Sequence, residues 1–207
     1  MGRFQPFHRG HRELVRHILQ ERRPQQLLLA IGSAQASHTL RNPMTAGERM
    51  ELILRVLPSE DIPRVWPVPV PDVDRHALWV SHVESLLPPF EEVYSNDPLT
   101  RLLFQQAGYT LPLLPWFDRD RFEGTRIRQR MAHGEPWEDL VPEGSVPYLK
   151  EIKLEERLRI LEGSAEARRN PSESSWDLPP VRKDAGKGTT RVGRSTRSSS
   201  TGRTSRT

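Results

Sequence analysis

Residues 27–58, LLLAIGSAQASHTLRNPMTAGERMELILRVLP, carry the strongest structural signals in the chain. Leu27 to Ile31 is an unbroken apolar run that ends at a glycine, which is typical of a buried parallel strand. Thr45 and Glu48 have the spacing of a helix capping box, and the apolar residues after them recur at helical intervals until a proline. The stretch therefore predicts a strand, a polar loop and a helix.

The same alternation extends in both directions along the chain. Apolar residues at helical spacing predict a helix over residues 14–19, before the first strand. Prolines within Val65–Val70 favour an edge-type or irregular strand. Further helices are predicted over residues 78–87, 99–107, 124–132 and 146–161. This order predicts an α/β domain with a parallel sheet, in which ligands bind beyond the carboxyl ends of the strands.

Composition excludes several classes of protein. The chain has 207 residues, of which 28% are charged and none is cysteine. Lack of cysteine excludes disulfide scaffolds, thiolate zinc sites, iron–sulfur clusters and cysteine nucleophiles, and it fits a reducing, cytoplasmic compartment. No apolar run is long enough for a transmembrane helix, and Met1–Pro6 lacks the apolar core of a secretory signal, so neither is expected.

The positive charge is concentrated at the C-terminus. The formal net charge is +4, but residues 164–207 carry ten Lys or Arg and four Asp or Glu, so residues 1–163 are slightly acidic. The segment is rich in Ser, Thr, Arg and Gly, a composition typical of disorder. We expect a folded domain over 1–163 and a disordered basic tail over 164–207. Nucleic-acid binding by this tail is possible but not favoured, because no aromatic residue follows Trp176.

Two histidines mark the opening of the first predicted helix, in GRFQPFHRGH, residues 2–11. A helix N-terminus presents free N–H groups and partial positive charge, and so it attracts phosphate. Gly10 would let a ligand approach the backbone, while His8 and His11 would add donors toward the same anion. A zinc site would need a third ligand that the sequence does not offer, so no metal ligand is assigned. Two surface histidines at a helix cap remain the simpler alternative.

Two further polar stretches lie at predicted helix starts or loops. In GTRIRQR, residues 124–130, Thr125 can cap a helix and bind phosphate, and Arg128 lies one turn further on. An ordinary basic helix face is the alternative. In the loop SHTLRNPMT, residues 37–45, Arg41 has no helical partner, which favours a phosphate role only weakly.

Together these stretches resemble the His-x-Gly-His and Gly-Thr-x-x-Arg motifs of the nucleotidylyltransferase superfamily. The chain is most similar to its archaeal-type nicotinamide-nucleotide adenylyltransferases. This resemblance runs in order from residue 2 to about 160 and covers these segments: GRFQPFHRGH (2–11), IGSAQ (31–35), RNPMTAGER (41–49), ALWV (77–80), VYSN (93–96) and RDRFEGT (119–125).

The resemblance implies a Rossmann-like fold and the transfer of AMP from ATP to nicotinamide mononucleotide (NMN), giving NAD and pyrophosphate. The catalytic residues that it implies are His8, His11 and Arg128. Those implied for ATP and its phosphates are Arg3, Gly10, Arg41, Gly124, Thr125 and Ile127. Those implied for the nicotinamide nucleotide are Ile31, Gly32, Ser33, Trp79 and Asn96, with Trp79 stacking on the cationic ring.

The resemblance also implies partners. Mg²⁺ would accompany ATP, and the chain would assemble as a homo-oligomer, which in this family is often a hexamer. No membrane partner is implied. Phosphoryl-type transfer needs positioning and charge neutralisation rather than a covalent nucleophile, and no such nucleophile is visible in the sequence.

Three positions depart from the family pattern. Family members have a short apolar strand before the Gly-Arg-Phe, and here Met1 directly precedes Gly2. We expect either that the start site is misassigned or truncated, which is the favoured alternative, or that strand edges at the centre of the sheet are left unpaired. Glu123 stands where the family usually has Ser, which adds negative charge near the phosphates. His76 stands where Asn is usual.

Three alternatives remain. Pantetheine-phosphate adenylyltransferases and cytidylyltransferases share the histidine motif but lack the context of Ser33–Gln35 and Trp79. A non-catalytic nucleotide-binding module would explain the absent strand and Glu123. A nucleic-acid-binding protein would depend on the tail and would lose affinity steeply with salt.

Overall fold

A computed structural model of the chain describes residues 1–113 and 121–169. Its main elements, in chain order, are α1 (Arg9–His17), a π-helical turn (Ile18–Arg22), β1 (Leu27–Ile31), α2 (Ala46–Val56), β2 (Val65–Pro69), α3 (Trp79–Leu86), α4 (Pro98–Gln106), α5 (Gly124–His133), α6 (Ser145–Glu151) and α7 (Leu154–Arg169). Short 3-10 turns lie at Ile62–Arg64, His76–Leu78 and Glu138–Leu140. No helix in these two ranges combines the length and apolarity needed to cross a membrane.

β1 lies between two apolar clusters, which explains its unbroken apolar sequence. Leu27, Leu29 and Ile31 are buried in the main core with residues of α1, α2, α5, α6 and α7. Ala30 belongs to a second cluster, together with Val83 of α3 and others. β1 pairs in parallel with β2. The predicted α/β class, with a parallel sheet flanked by helices, is confirmed.

β2 has an outer edge that cannot accept another strand. The N–H of Val70 donates to the carbonyl of Ile31 (2.9 Å). Backbone groups alternate in direction along a strand, so those of Pro67 and Pro69 point away from β1. Proline has no N–H, which blocks that edge. The edge-strand prediction is confirmed for Val65–Pro69.

The opposite edge of β1 is open. Among residues 1–113 and 121–169, only Gly2 pairs with it, through an isolated parallel bridge to Ile31. The amino group of Met1 donates to the carbonyl of Tyr94 (2.9 Å), and burial lowers its pKa to about 6. A cavity of about 690 Å³ is lined by Met1, by residues 27–30 of β1 and by residues 90–94, and His11 lines it too. An unpaired edge is one of the outcomes expected from the sequence at this position, and the cavity lies along that edge.

Two predictions about the C-terminal helices need revision. The single helix predicted over residues 146–161 is wrong, because Lys153 adopts a left-handed backbone conformation (φ 51°) and separates α6 from α7. α7 continues through Arg169, past the boundary predicted at Ser164, whose hydroxyl donates to the carbonyl of Ile160 (2.8 Å). The rest of the predicted tail, residues 170–207, lies outside the described residues.

We predict that an apolar extension fused before Met1 stabilises the protein by filling the cavity along β1. Burial of each of four β-branched side chains would stabilise the fold by about 2 kcal/mol, and the lost conformational entropy would cost about 1.5 kcal/mol per residue. Summed over the four residues, the free energy of unfolding should rise by about 2 kcal/mol. Urea unfolding measures the change, with a Gly-Ser-Gly-Ser extension as the control. Equal stability of the two fusions would show that the added apolar residues do not fill this cavity along β1.

Candidate functional site

His8 and His11 form a reciprocal cap at the start of α1. The N–H of His8 donates to Nδ1 of His11 (3.2 Å), and the N–H of His11 donates to Nδ1 of His8 (3.3 Å). Their rings stack with centroids 3.5 Å apart. The ring of His11 also packs against those of Phe4 and Phe7. These contacts fix both imidazoles in position relative to the first turn of α1.

The cap determines the protonation of both imidazoles. Each Nδ1 accepts an N–H, so each neutral ring must carry its proton on Nε2. Burial lowers the pKa of His8 to about 4. Burial, with the neighbouring His8, also lowers the pKa of His11 well below its usual value. Both residues are therefore neutral donors at neutral pH.

The N-termini of α1 and α5 lie side by side. A Cβ added to Gly10 would lie 3.1 Å from Cβ of Phe122 and 3.2 Å from Nδ1 of His8. A Cβ added to Gly124 would lie 3.2 Å from the carbonyl oxygen of Gln5. Both glycines therefore permit a close approach of backbone segments. The openings of two helices therefore lie close together, and the partial positive charge of a helix N-terminus favours an anion beside it.

Arginines line a pocket of about 360 Å³ beside these helix openings. Its lining residues are Arg3, Leu40, Arg41, Thr125, Arg128, Gln129, Leu158 and Glu162. Within the described ranges, neither Arg3 nor Arg41 nor Arg128 forms an ion pair with a carboxylate. Nη1 of Arg3 is buried and has no hydrogen-bond partner there. A pocket with three such cations can neutralise an anionic ligand.

Arg128 has a structural role in addition to its charge. It donates from Nε to the carbonyl of Leu40 (2.9 Å) and from Nη1 to that of Gln5 (2.7 Å). Nη2 donates to Oγ1 of Thr125 (3.4 Å). Burial, followed by repulsion from other arginines, lowers the pKa of Arg128 to about 10. It thus joins three segments of the site and retains few N–H groups for a ligand.

Ile127, which the resemblance assigns to ATP, is fully buried in the main core. Its N–H donates to the carbonyl of Glu123 within the first turn of α5 (3.1 Å). Its contribution in this structure is to anchor α5, while Gly124 and Thr125 remain at the helix opening.

The backbone groups at the end of β1 are already hydrogen-bonded. The N–H of Gly32 donates to the carbonyl of Gly2 (2.9 Å), and the carbonyl of Ile31 accepts from the N–H of Val70. The N–H of Ser33 donates to Oδ1 of Asp72 (3.2 Å). Asp72 is exposed, so a ligand could replace this last contact. Ser33 itself has a left-handed backbone conformation (φ 50°).

Trp79 opens α3 and is partly buried against the second apolar cluster. One turn later, Nε2 of His82 lies 2.9 Å from the carbonyl oxygen of Pro71, next to Asp72. α3 is thereby connected to the loop of Pro71 and Asp72, and Asp72 accepts the hydrogen bond from Ser33. Asn96 is exposed, and no contact found in the described ranges joins it to this group.

Sequence reasoning missed three residues that hold the site together. The side-chain amide of Gln5 exchanges two hydrogen bonds with the backbone of Met44 (2.9 and 3.0 Å). Asp72 accepts from Ser33 and from the amide of Gln35 (3.3 Å). Arg49 is fully buried and donates to four carbonyls. The only signal for Arg49 was its place just after the capping box.

Residues 1–113 and 121–169 contain no group of three or more His, Asp or Glu side chains that could hold a metal ion. The pocket is cationic, with Glu162 as the one carboxylate among its lining residues. These residues therefore do not form a resident metal site.

Comparisons with known proteins show which proteins this chain is similar to. A family model described as cytidylyltransferase-like matches residues 1–130. A nicotinamide-nucleotide adenylyltransferase of Pyrococcus furiosus is 41% identical over 182 residues, or 86% of this chain and 96% of the relative. Another protein of that name, from Thermoplasma acidophilum, is 48% identical over 161 residues, or 78% of this chain and 89% of the relative.

The fold is also found in a crystal structure of a bifunctional NMN adenylyltransferase/ADP ribose pyrophosphatase from Francisella tularensis. The TM-score is 0.64 at 16% sequence identity, which establishes similarity of fold alone. The likeness covers 86% of this chain and 56% of that one. The sequence relatives cover most of both chains, and on that basis the chain belongs to the cytidylyltransferase-like family and groups within it with the archaeal nicotinamide-nucleotide adenylyltransferases.

Proposed function

We propose that this protein transfers AMP from ATP to NMN, forming NAD and pyrophosphate. An oxygen of the NMN phosphate attacks the α-phosphorus of ATP, and the bond from that phosphorus to the bridging β-phosphate oxygen breaks. The observation that carries the proposal is the three-arginine pocket beside two converging helix openings. The family relatives bear the corresponding name.

The arginine pocket is suited to the triphosphate and to the leaving pyrophosphate. Arg3 offers an unpaired buried Nη1, and Arg41 makes no hydrogen bond or ion pair with a described residue. Arg128 adds charge from a fixed position. Neutralising the phosphates lets an anionic nucleophile approach an anionic centre, which is the main demand of this chemistry.

His8 and His11 supply donors that do not depend on protonation. Their Nε2–H groups can donate to phosphate oxygens whose charge grows as the fifth bond to phosphorus forms. Because the rings are capped and stacked, little reorganisation is needed during the reaction. The N-termini of α1 and α5 add partial positive charge that also stabilises these phosphate oxygens.

The end of β1 is suited to the nicotinamide half of NMN. An amide group there could accept from the N–H of Ser33 in place of Asp72 and donate to a nearby carbonyl. Trp79 lies on the helix connected to this loop and offers a ring face for the cationic nicotinamide. Asn96 is exposed and follows residues 93–95, so in this proposal it would contact the nicotinamide nucleotide from the surface of the protein.

Our proposal treats the divalent cation as part of the substrate. Mg²⁺ would enter bound to ATP, because phosphate oxygens are ligands that it prefers. A homo-oligomer such as a hexamer and a cytoplasmic location are further parts of the proposal. The basic segment after α7, from residue 170 onward, is proposed to be dispensable for the reaction.

The test is formation of NAD and pyrophosphate from ATP, Mg²⁺ and NMN by the full chain. We predict equimolar products, and a loss of about 100-fold in kcat for His11→Asn, the typical effect of removing one transition-state donor. The Asn oxygen can replace Nδ1 as the cap acceptor, so the variant loses mainly the Nε2–H. The ring contacts of His11 with Phe4 and Phe7 are lost as well, so the unfolding temperature should fall by a few degrees, and kcat is measured well below it.

The control variant is His133→Asn, which removes an exposed histidine at the end of α5 and should leave kcat unchanged. Parallel reactions offer nicotinate mononucleotide and phosphopantetheine. Turnover of phosphopantetheine alone would assign the chain to another transferase, and nucleotide binding without any product would assign a binding module. Either result overturns the proposal.

The neutral histidines also predict a pH dependence of stability. The pKa of His8 is about 4 in the fold and near 6.5 when unfolded, so the unfolded state binds more protons below pH 6.5. The contribution of the uncharged His8 side chain to the free energy of unfolding is complete above pH 6.5, and it is lost as the pH falls toward 4. The loss from His8 is about 2 kcal/mol between pH 7.5 and 5.

Urea unfolding at several pH values, compared between the protein and His8→Asn, measures this contribution. The difference in unfolding free energy should shrink by about 2 kcal/mol from pH 7.5 to 5. A difference that is independent of pH would mean that His8 is not a buried neutral group.

A further inference from the structure

Arg49 binds backbone carbonyls from three segments of the site. Nη1 donates to the carbonyls of Arg3 (3.0 Å) and Gly32 (2.8 Å), and Nη2 donates to that of Ser33 (3.1 Å). Nε donates to the carbonyl of Thr45, the cap of α2 (3.2 Å). The residue is 0% exposed.

No carboxylate balances the Arg49 guanidinium directly. It forms no ion pair within the described ranges, and Asp72 and Glu48 act on it only at longer range. A buried cation costs free energy unless its donors are satisfied, and here carbonyl oxygens satisfy them. A chain that needed only a stable fold could fill this position with an apolar side chain at less cost.

The carbonyls that Arg49 binds belong to both halves of the proposed site. Arg3 lines the phosphate pocket, while Gly32 and Ser33 follow β1 on the side proposed for the nicotinamide nucleotide. A single Nη1 atom contacts Arg3 and Gly32 at once. The planar fork of an arginine can hold several such acceptors at fixed angles, and the ammonium of lysine cannot.

We propose that Arg49 is a positioning residue that sets the spacing between the ATP-phosphate side and the nicotinamide-nucleotide side of the site. This inference rests on the proposed function, because the spacing matters when two substrates must meet in line. A displacement of about 1 Å between reacting groups can cost about 100-fold in rate. Arg49 touches neither substrate in this scheme and acts through the backbone of Arg3 and Ser33.

The test compares Arg49→Lys with Arg55→Lys, a change of an exposed arginine on the same helix. Arg49→Lys keeps the charge and loses the fork, so kcat of the folded protein should fall ten- to a hundredfold, while Arg55→Lys should stay within twofold. Unfolding temperature is measured in parallel. If Arg49 merely supported the fold, its variant would melt earlier with an unchanged kcat, and the proposal would be overturned.

Chemical rescue gives an independent readout. In Arg49→Ala, millimolar guanidinium should restore part of the lost kcat, and it should not raise the rate of the unaltered protein or of Arg49→Lys. An Ala variant that folds and gains nothing from guanidinium contradicts the proposal. If it fails to fold, the comparison of the two lysine variants decides.

Failure of the proposed function has a different signature. An unaltered protein that forms no NAD contradicts the proposed reaction itself. Calorimetry with ATP and with NMN then decides the role of Arg49. The proposal requires that binding of one nucleotide strengthens binding of the other, and that Arg49→Lys reduces this coupling at least fivefold. Equal coupling in both proteins, or no binding, overturns it.

Discussion

At the start of α1, His8 and His11 each accept a backbone N–H from the other residue through Nδ1. This exchange satisfies two N–H groups that a helix N-terminus would otherwise leave free. It also forces both protons onto Nε2, so the same contact that caps the helix creates two neutral donors. The rings of Phe4 and Phe7 pack against His11, and the ring of Phe122 stacks over His8, so both imidazoles are buried and stay uncharged.

The cationic side chains around this cap mostly bind backbone rather than carboxylates. Arg128 holds the carbonyls of Gln5 and Leu40, and Arg49 holds those of Arg3, Gly32 and others. Carbonyl partners satisfy the donors without cancelling their charge. The loops are therefore fixed while the site keeps a positive potential, which is the combination that phosphoryl-type transfer needs.

Local features of the fold could be predicted from the sequence, since they depend on neighbouring residues. The strand Leu27–Ile31 follows from its apolar run, and the helix after Thr45 follows from its capping box, which is observed. The contacts of Arg49 and Arg128 could not be predicted, because each joins segments far apart in the chain. The break at Lys153 was missed because a lysine gives no turn signal. Residue roles at the site remain proposals.

The central claim is that His8 and His11 are neutral Nε2–H imidazoles at physiological pH. Nitrogen-15 NMR of the histidine rings tests it directly, because protonated and unprotonated ring nitrogens have distinct shifts. The account predicts an unprotonated Nδ1 and a protonated Nε2 for both residues, unchanged from pH 8 down to pH 6. Protonation of both nitrogens of either ring within that range would contradict it.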